Sequence, residues 1–359
     1  MRIRAERDDL ADVFARAARG VSPRTPLTIL SGLLCSVKGN GLEVTGSDME
    51  VTIRTQVAVE VHDEGQTVLP AKLIPDAVRK MPPGAVSIDV VEGEAVITGN
   101  GPTFRIHQLD PADFPELPVP DEPTTVEVGG EELADAIAQV MSAASTDERR
   151  VALTGIYFDA ADDGLRMIAT DSYRMAFKKL PGVELPASAL VPSRGLKELD
   201  KAVGAEKVAI TLGDRYAGFS SERGSMTVRL IEAAFPDYRS LLDVGPVHNQ
   251  VTVAKAALSE AVDRAALVAD EHIPVRLHLV EGGVEVSIQR HEVGGERELI
   301  EAEYDGTEMQ IAFNVRYLRD VISALRGDTL VLDVQESNRP GLFHDGSDDF
   351  SYLVMPVKM

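Results

Sequence analysis

One pattern recurs three times along this 359-residue chain, at a spacing of about 122 residues, and this internal repetition restricts the possible folds more than any other feature. Each copy begins with apolar residues at the i, i+3, i+4, i+7 spacing of an amphipathic helix. The three sets are Leu10, Val13, Phe14 and Ala17; Leu133, Ala136, Ile137 and Val140; and Leu258, Ala261, Val262 and Ala265. Each set predicts a helix with one apolar face.

A second helical pattern recurs in the same three copies, each time offset by 122 residues. Its apolar sets are Ile74, Ala77 and Met81; Leu196, Leu199 and Val203; and Leu318, Val321 and Leu325. A basic residue stands just ahead of each set, at Lys72, Arg194 and Arg316. Solvated helix starts would explain these three residues, and so would a basic surface that the repeats share.

Between the helical segments the chain alternates as half-buried strands do. In the stretch 49–59, Met49, Val51 and Ile53 fall on one predicted face, whereas Thr52 and Arg54 fall on the other, which we expect to meet solvent. Asn-Gly, Asp-Gly and Gly-Gly pairs separate neighbouring strands, as antiparallel hairpins require. Each copy is therefore predicted to be an antiparallel sheet with two helices, in a tandem α+β protein.

Proline and glycine mark two boundaries between the copies. The first is a linker near residues 115–125, with Pro115, Pro118, Pro120 and Pro123. The second, near residues 243–249, contains Gly245-Pro246. We therefore expect domains at residues 1–120, 121–244 and 245–359, each large enough to bury its own core.

Charge and cysteine usage narrow the function. Asp and Glu outnumber Lys and Arg by 58 to 36, and the net charge of −22 argues against coating of nucleic acid by bulk attraction. Any contact with DNA has to be local or topological. The single cysteine, Cys35, cannot form a disulfide within the chain and favours a reducing, cytoplasmic location. Neither a secretory signal nor a membrane-spanning segment is expected from the early sequence.

The catalytic and metal-binding motifs that we sought are incomplete in this sequence. The glycine clusters from Gly39 and Gly99 lack the lysine of a phosphate-binding loop. His291-Glu292 begins a zinc-protease pattern, but position 295 is glycine where the second histidine is required. We expect no metal, no cofactor and no catalysis. A hydrolase whose site is built from distant residues is the alternative.

Six segments resemble the bacterial DNA polymerase III beta subunit, or beta sliding clamp. They occur in family order and cover essentially the whole chain: PRTPLTILSGLL from Pro23, ALTGIYFDAADDGLRMIATDSYRMAF from Ala152, FPDYRSLL from Phe235, FNVRYL from Phe313, SNRPGLF from Ser337 and YLVMPVKM from Tyr352. The resemblance implies a head-to-tail homodimer whose six repeats close a ring around double-stranded DNA, with helices lining the hole. A clamp-like paralogue that sequesters a ligand or peptide is the alternative reading.

The resemblance also implies residues that contact DNA. By family position these are Arg24, Arg149, Arg150 and Arg194, and the repeated basic position adds Lys72. Arg16, Arg19 and Arg264 on the first helices would add further charge to a basic lumen. Such contacts would hold the duplex without fixing its position, because phosphates carry no sequence information.

A pocket between the second and third domains is implied as well, for short extended motifs of the replicative polymerase, the clamp loader and repair polymerases. Its residues would be Leu153, Thr170, Tyr173, Arg174, Met175, Pro236, Leu241, Asn314, Tyr317, Pro340, Met355, Pro356 and Val357. Met175, Ser240 and the ending Lys358-Met359 depart from the more usual Leu, Arg and Arg-Leu of the family, which affects the preferred peptide but not the fold.

Overall fold

The computed structural model describes residues 1–25, 27–120, 124–242, 248–270 and 273–358. Its α-helices are α1 (Arg7–Ala17), α2 (Ile74–Arg79), α3 (Gly130–Met141), α4 (Ser193–Val203), α5 (Arg239–Leu242), α6 (Lys255–Ala266) and α7 (Val315–Ala324). None of the helices in these ranges is long and apolar enough to cross a membrane.

The strands follow the three repeats. The first repeat contains β1 (Arg2–Glu6), β2 (Gly32–Lys38), β3 (Gly41–Ser47), β4 (Val51–Ala58), β5 (Glu60–Asp63), β6 (Gly65–Pro70), β7 (Ala85–Val91), β8 (Glu94–Thr98) and β9 (Thr103–His107). The second contains β10 (Thr125–Gly129), β11 (Gly155–Ala161), β12 (Gly164–Thr170), β13 (Arg174–Leu180), β14 (Ala189–Pro192), β15 (Lys207–Leu212), β16 (Tyr216–Ser221) and β17 (Gly224–Arg229). The third contains β18 (Asn249–Ala254), β19 (Val275–Val280), β20 (Gly283–Arg290), β21 (Gly294–Asp305), β22 (Met309–Phe313), β23 (Thr329–Val334), β24 (Gly341–His344) and β25 (Phe350–Val354).

The predicted helical faces are confirmed, since every residue of the six apolar sets is at most 5% exposed. Met81 and Leu325 belong to these faces although they follow the last residues of α2 and α7. The repeated basic position differs slightly from the prediction. Lys72 does precede α2, whereas Arg194 and Arg316 lie within the first turns of α4 and α7.

The stretch 49–59 corrects two details of the strand prediction. Met49 lies before β4 in a bend with φ of 74°, so it does not belong to the strand. Thr52 is buried, not solvent-facing, and its hydroxyl shares a 2.7 Å hydrogen bond with that of Ser47. Burial is possible because this bond satisfies the polar group away from water.

The described chain divides into two compact units. Residues Met1–Ala134 and Arg194–Ile231 form one, with a five-stranded sheet in the order β5-β1-β7-β8-β9 and an eight-stranded sheet in the order β10-β15-β16-β17-β4-β3-β2-β6. Residues Asp135–Ser193 and Glu232–Met359 form the other, with a twelve-stranded sheet in the order β14-β11-β12-β13-β25-β24-β23-β18-β21-β20-β19-β22.

Each of the two largest sheets continues from one repeat into the next, so the compact units do not coincide with the three predicted domains. The domain boundaries stay a prediction, and the linker residues 121–123 and 243–247 lie outside the described residues.

The two pairings between repeats share one geometry. In the first unit Ile53 on β4 lies opposite Met226 on β17. In the second unit Ala176 on β13 lies opposite Tyr352 on β25. All four side chains are fully buried. The repeats are therefore joined by continuous antiparallel sheet, which leaves no open edge at either junction.

Candidate functional site

The turn between β12 and β13 is held in place by its own polar side chains. The Thr170 hydroxyl donates to the Arg174 carbonyl at 2.7 Å and accepts from the Ser172 amide at 3.1 Å. The Asp171 carboxylate accepts the amides of Tyr173 and Arg174 at 2.9 and 3.1 Å. These bonds offset the cost of a left-handed Ser172, whose φ is 78°. The turn presents Tyr173 to solvent with 60% of its surface exposed.

Arg174 ties this turn to helix α7. Its side chain is only 4% exposed, its Nε lies 3.0 Å from Oδ2 of Asp171, and its guanidinium also contacts the Asp320 carboxylate. The guanidinium carbon lies 4.4 Å from the ring centroid of Tyr317, a cation–π distance. Burial lowers the pKa of Arg174, but Tyr352 and the two carboxylates outweigh that effect and leave this pKa raised. The buried charge is thus paired on both sides, as a stable buried cation has to be.

The C-terminal tail leaves the sheet where β25 ends and runs to the outer strand β22. The Met355 amide donates to the Tyr173 carbonyl at 2.9 Å, and the Val357 amide donates to the Ala312 carbonyl at 2.8 Å. Pro356 between them has no N–H to donate. Met355 is left 40% exposed beside the turn between β12 and β13, called the Tyr173 turn below. Met359 lies outside the described residues.

The segment that precedes α5 is anchored by two aromatic residues. Phe235 stacks on Tyr157 with ring centroids 5.0 Å apart. Tyr238 is buried and its hydroxyl donates to the Asp159 carboxylate, so burial together with this bond raises the pKa of Tyr238 to about 12. The anchored segment leaves Leu241 on α5 half exposed.

The predicted peptide-binding residues all lie in the second compact unit, at three levels of burial. The exposed residues are Tyr173, Pro236, Leu241 and Met355; the partly buried ones are Asn314, Tyr317, Pro340, Pro356 and Val357; and the buried ones are Leu153, Thr170, Arg174 and Met175. Direct contacts join Tyr173 to Met355 and Arg174 to Tyr317. Within the described residues, no hydrogen bond or ion pair of Pro340 links it to the others.

Sequence reasoning missed Asp320, which pairs with Arg174 across 146 positions, and no local signal marks it. It also missed a cavity of about 680 Å³ between the end of α6 and the start of α7. Only Asn314 and Tyr317 of the predicted set line this cavity. Asn314 is there because it caps α7, accepting the Arg316 amide at 2.9 Å.

The residues predicted to contact DNA have different surroundings. Arg149 is exposed and makes a bidentate pair with Asp147, at 2.9 and 3.0 Å, which lowers the pKa of that carboxyl. Arg150 donates to the Asp171 carbonyl at 2.8 Å and to the Ser172 hydroxyl, so it supports the Tyr173 turn. Arg194 contacts the nearly buried carboxylate of Asp48.

Arg24 and Lys72 are both exposed. In the described part of the chain, neither the Arg24 guanidinium nor the Lys72 ammonium makes an ion pair or a hydrogen bond.

The arginines of the first helices are paired with carboxylates, so they leave less unpaired positive charge than predicted. Assigning Arg16 to a basic lumen is wrong, because Arg16 is buried and pairs with Asp12 at 2.8 Å. Burial lowers the pKa of Arg16. Arg19 lies 2.6 Å from Glu198, and Arg264 lies 2.7 Å from Glu298. Among the described residues, no group of three or more His, Cys, Asp or Glu is placed to hold a metal ion.

Three repeats of antiparallel sheet and two helices, with the sheet continuous from repeat to repeat, are the architecture of a DNA clamp. Models of the DNA polymerase III beta subunit match its N-terminal domain to residues 1–118, its central domain to 127–237 and its C-terminal domain to 246–358. The chain therefore belongs to the DNA polymerase III beta subunit family, the beta sliding clamps.

Individual relatives agree with this assignment over their full lengths. The beta sliding clamp of Streptomyces coelicolor is 32% identical over 377 residues, covering 100% of both chains. The crystal structure of the Bacillus subtilis sliding clamp is 27% identical, with a TM-score of 0.94 over 100% of this chain and 99% of that one. A Pseudomonas aeruginosa sliding clamp bound to griselimycin is 26% identical, with a TM-score of 0.94 over 100% of both.

Proposed function

We propose that this protein acts as a non-catalytic, cytoplasmic processivity clamp, a ring of two chains that encircles double-stranded DNA and tethers the replicative polymerase. The observation that carries the proposal is the repeated junction. The same antiparallel register joins the first repeat to the second and the second to the third. Two chains carry six repeats, and repeating this junction between chains would close them as a ring without an open edge.

The third repeat carries the strand that such a junction needs. The strands that precede β4, β13 and β21 each begin with a glycine. Ile53, Ala176 and Glu296 each lie opposite the residue five places after that glycine. By this count β21 takes the place of β4 and β13. In the described residues, positions 294–301 of β21 pair on one side only, with β20.

The first repeat carries the complementary strand, β9, which is the last strand of its repeat as β17 and β25 are of theirs. Phe104 on β9 lies one repeat length, 122 residues, before Met226 and takes its place. Like Met226 and Tyr352, it pairs back to a buried residue of the preceding strand. Met226 and Tyr352 are fully buried by their junctions, whereas Phe104 is partly exposed. The shared register would set Phe104 opposite Glu296 and Thr103 opposite Arg297 of a second copy.

Disulfide trapping tests this closure. Thr103→Cys with Arg297→Cys should give a covalent dimer of twice the 38.7 kDa chain under mild oxidation, because directly opposed Cα atoms lie within disulfide range. The matched control is Thr103→Cys with Leu299→Cys, whose diagonal separation exceeds that range. A monomer by light scattering would refute the ring, and cross-linking of the control pair instead would refute the register.

The exposed side chains around the Tyr173 turn support binding of a short peptide. Tyr173, Leu241 and Met355 are apolar or amphipathic, exposed, and attached to backbone that hydrogen bonds or aromatic stacking hold in place. Rigid exposed apolar residues suit an extended peptide, and a flexible methionine lets one site accept several sequences. We propose that the replicative polymerase, the clamp loader and repair polymerases present such peptides here.

For DNA we propose contacts from Arg24, Lys72, Arg149, Arg150 and Arg194 inside the ring. The net charge of −22 opposes general adhesion to DNA, so retention would be topological. The direct test loads the protein with a clamp loader on closed circular and on linear duplex DNA. The protein should stay on the circle and leave the linear duplex by its ends. Equal loss from both would overturn the proposed function.

A further inference from the structure

The first helix of each repeat carries a hydrogen-bond donor six residues after its first buried leucine. The three donors are Arg16, Gln139 and Arg264, after Leu10, Leu133 and Leu258. The last turn of the second helix supplies possible acceptors, because the final carbonyls of a helix have no partner within it.

At both junctions inside the chain, the donor reaches such a carbonyl in the next repeat. Arg16 donates to the Ala202 carbonyl of α4 at 3.5 Å, the long end of the hydrogen-bond range. Gln139 donates to the Ala324 carbonyl of α7 at 3.0 Å. Ala202 and Ala324 hold one place in the repeat, six residues after Leu196 and Leu318.

The third donor, Arg264, has its possible acceptor in the first repeat. The residue six places after Ile74 is Lys80, which follows the last residue of α2. The guanidinium groups of Arg264 and Arg16 make a similar contact within the chain. In both, Nε binds a carboxylate, of Asp12 for Arg16 and of Glu298 for Arg264. Nη1 of Arg16 donates to the carbonyls of Arg223 and Ala202, whereas Nη1 of Arg264 lies 3.6 Å from a carboxylate oxygen of Glu260.

We infer that Arg264 donates through Nη1 to the Lys80 carbonyl of a second copy of this chain, and so repeats the helix contact of the two internal junctions. This inference rests on the proposed head-to-tail dimer. Charge favours the contact, because the exposed Lys80 ammonium would approach the carboxylates of Glu260 and Glu298 that surround Arg264.

Two substitutions separate this contact from the ion pair within the chain. Arg264→Leu and Arg264→Gln both remove the pair with Glu298, but only glutamine keeps a donor, as Gln139 does at its own junction. The dimer dissociation constant, measured by dilution in analytical ultracentrifugation, should rise about tenfold or more for Arg264→Leu and within about threefold for Arg264→Gln. Arg264 is half exposed, so neither substitution should lower the unfolding temperature of the dissociated chain, measured below the dimer dissociation constant.

The matched control is Gln139→Leu, which removes the internal contact with Ala324 and should leave the dimer dissociation constant unchanged. Equal weakening by Arg264→Leu and Arg264→Gln would overturn the inference, and so would an unchanged dimer in Arg264→Leu. A monomeric parent protein would instead refute the proposed ring itself.

Discussion

At the scale of single residues, Arg174 shows how one buried charge fixes the shape of the candidate peptide site. It lies between Asp171 and Asp320 and under the ring of Tyr317. Removing it would leave two carboxylates facing each other at a site that excludes most water. A buried ion pair contributes little net stability, but breaking one leaves an uncompensated charge.

We therefore expect Arg174→Met to lower the free energy of unfolding by about 3 kcal/mol, measured by urea denaturation. The control is Arg316→Met, which removes an arginine 3.9 Å from the same Asp320 carboxylate but 70% exposed. Its effect should stay below about 0.5 kcal/mol, because exposed pairs are screened by solvent. Similar losses of unfolding free energy in both variants would show that burial of the arginine does not determine the cost of removing it.

Cys35 gives a second test at this scale. It is fully buried, and burial raises the pKa of its thiol to about 12. We expect no maleimide labelling of the folded protein at pH 8 and complete labelling in urea, measured by mass spectrometry. Because the folded pKa is raised, this thiol's contribution to stability is present at neutral pH and is lost as pH rises from the unfolded value toward 12. Rapid labelling without urea would contradict the burial.

At the scale of elements, the C-terminal tail connects the Tyr173 turn to strand β22. Removing residues 357–359 deletes the Val357 amide that donates to Ala312 and one wall of the proposed site. We expect affinity for a polymerase-derived peptide to fall roughly ten- to a hundredfold by calorimetry, the effect of one or two buried aliphatic contacts. Lys358→Ala is the control and should bind as the parent does, because Lys358 is exposed.

Thermal unfolding shows whether the lost affinity is direct. One edge hydrogen bond is worth about 1 kcal/mol, so the truncated protein should melt close to the parent. A large drop in melting temperature would mean that the tail belongs to the core. Unchanged peptide affinity in a well-folded truncated dimer would remove the tail from the site.

At the scale of the whole molecule, the proposed DNA contacts are tested together. Arg24, Arg149 and Arg194 should be replaced by Gln, because Glu at position 194 would place a second carboxylate beside the nearly buried Asp48. We expect the triple variant to stay dimeric but to be loaded on circular DNA less efficiently, with a weaker dependence on salt, since each lost phosphate contact removes about 0.9 from the slope.

The control for this variant is Lys207→Gln, at an exposed lysine on strand β15 whose ion pair, within the described part of the chain, is with the exposed Glu127. It should load on circular DNA as efficiently as the parent does. If the triple variant and the control behave alike, the three arginines are solvated surface and the proposed contacts are wrong.

Local periodicity was enough to predict the three repeats, the apolar faces of six helices and the antiparallel strands between them. A helix or strand face is set by the spacing of a few consecutive residues, and burial of that face follows the same spacing. Family resemblance then supplied residues that lie in one compact unit and around one exposed turn, although their contact with a peptide stays a prediction.

Only the tertiary structure decided which charges are available. Arg16 looked like a lumen cation in the sequence, yet its helix packs so that it reaches Ala202 and is buried. Arg174 meets Asp320 across 146 positions, and β13 meets β25 from another repeat. No local spacing encodes such pairings, because they depend on how separate elements pack, and packing determines whether a charge faces solvent or a partner.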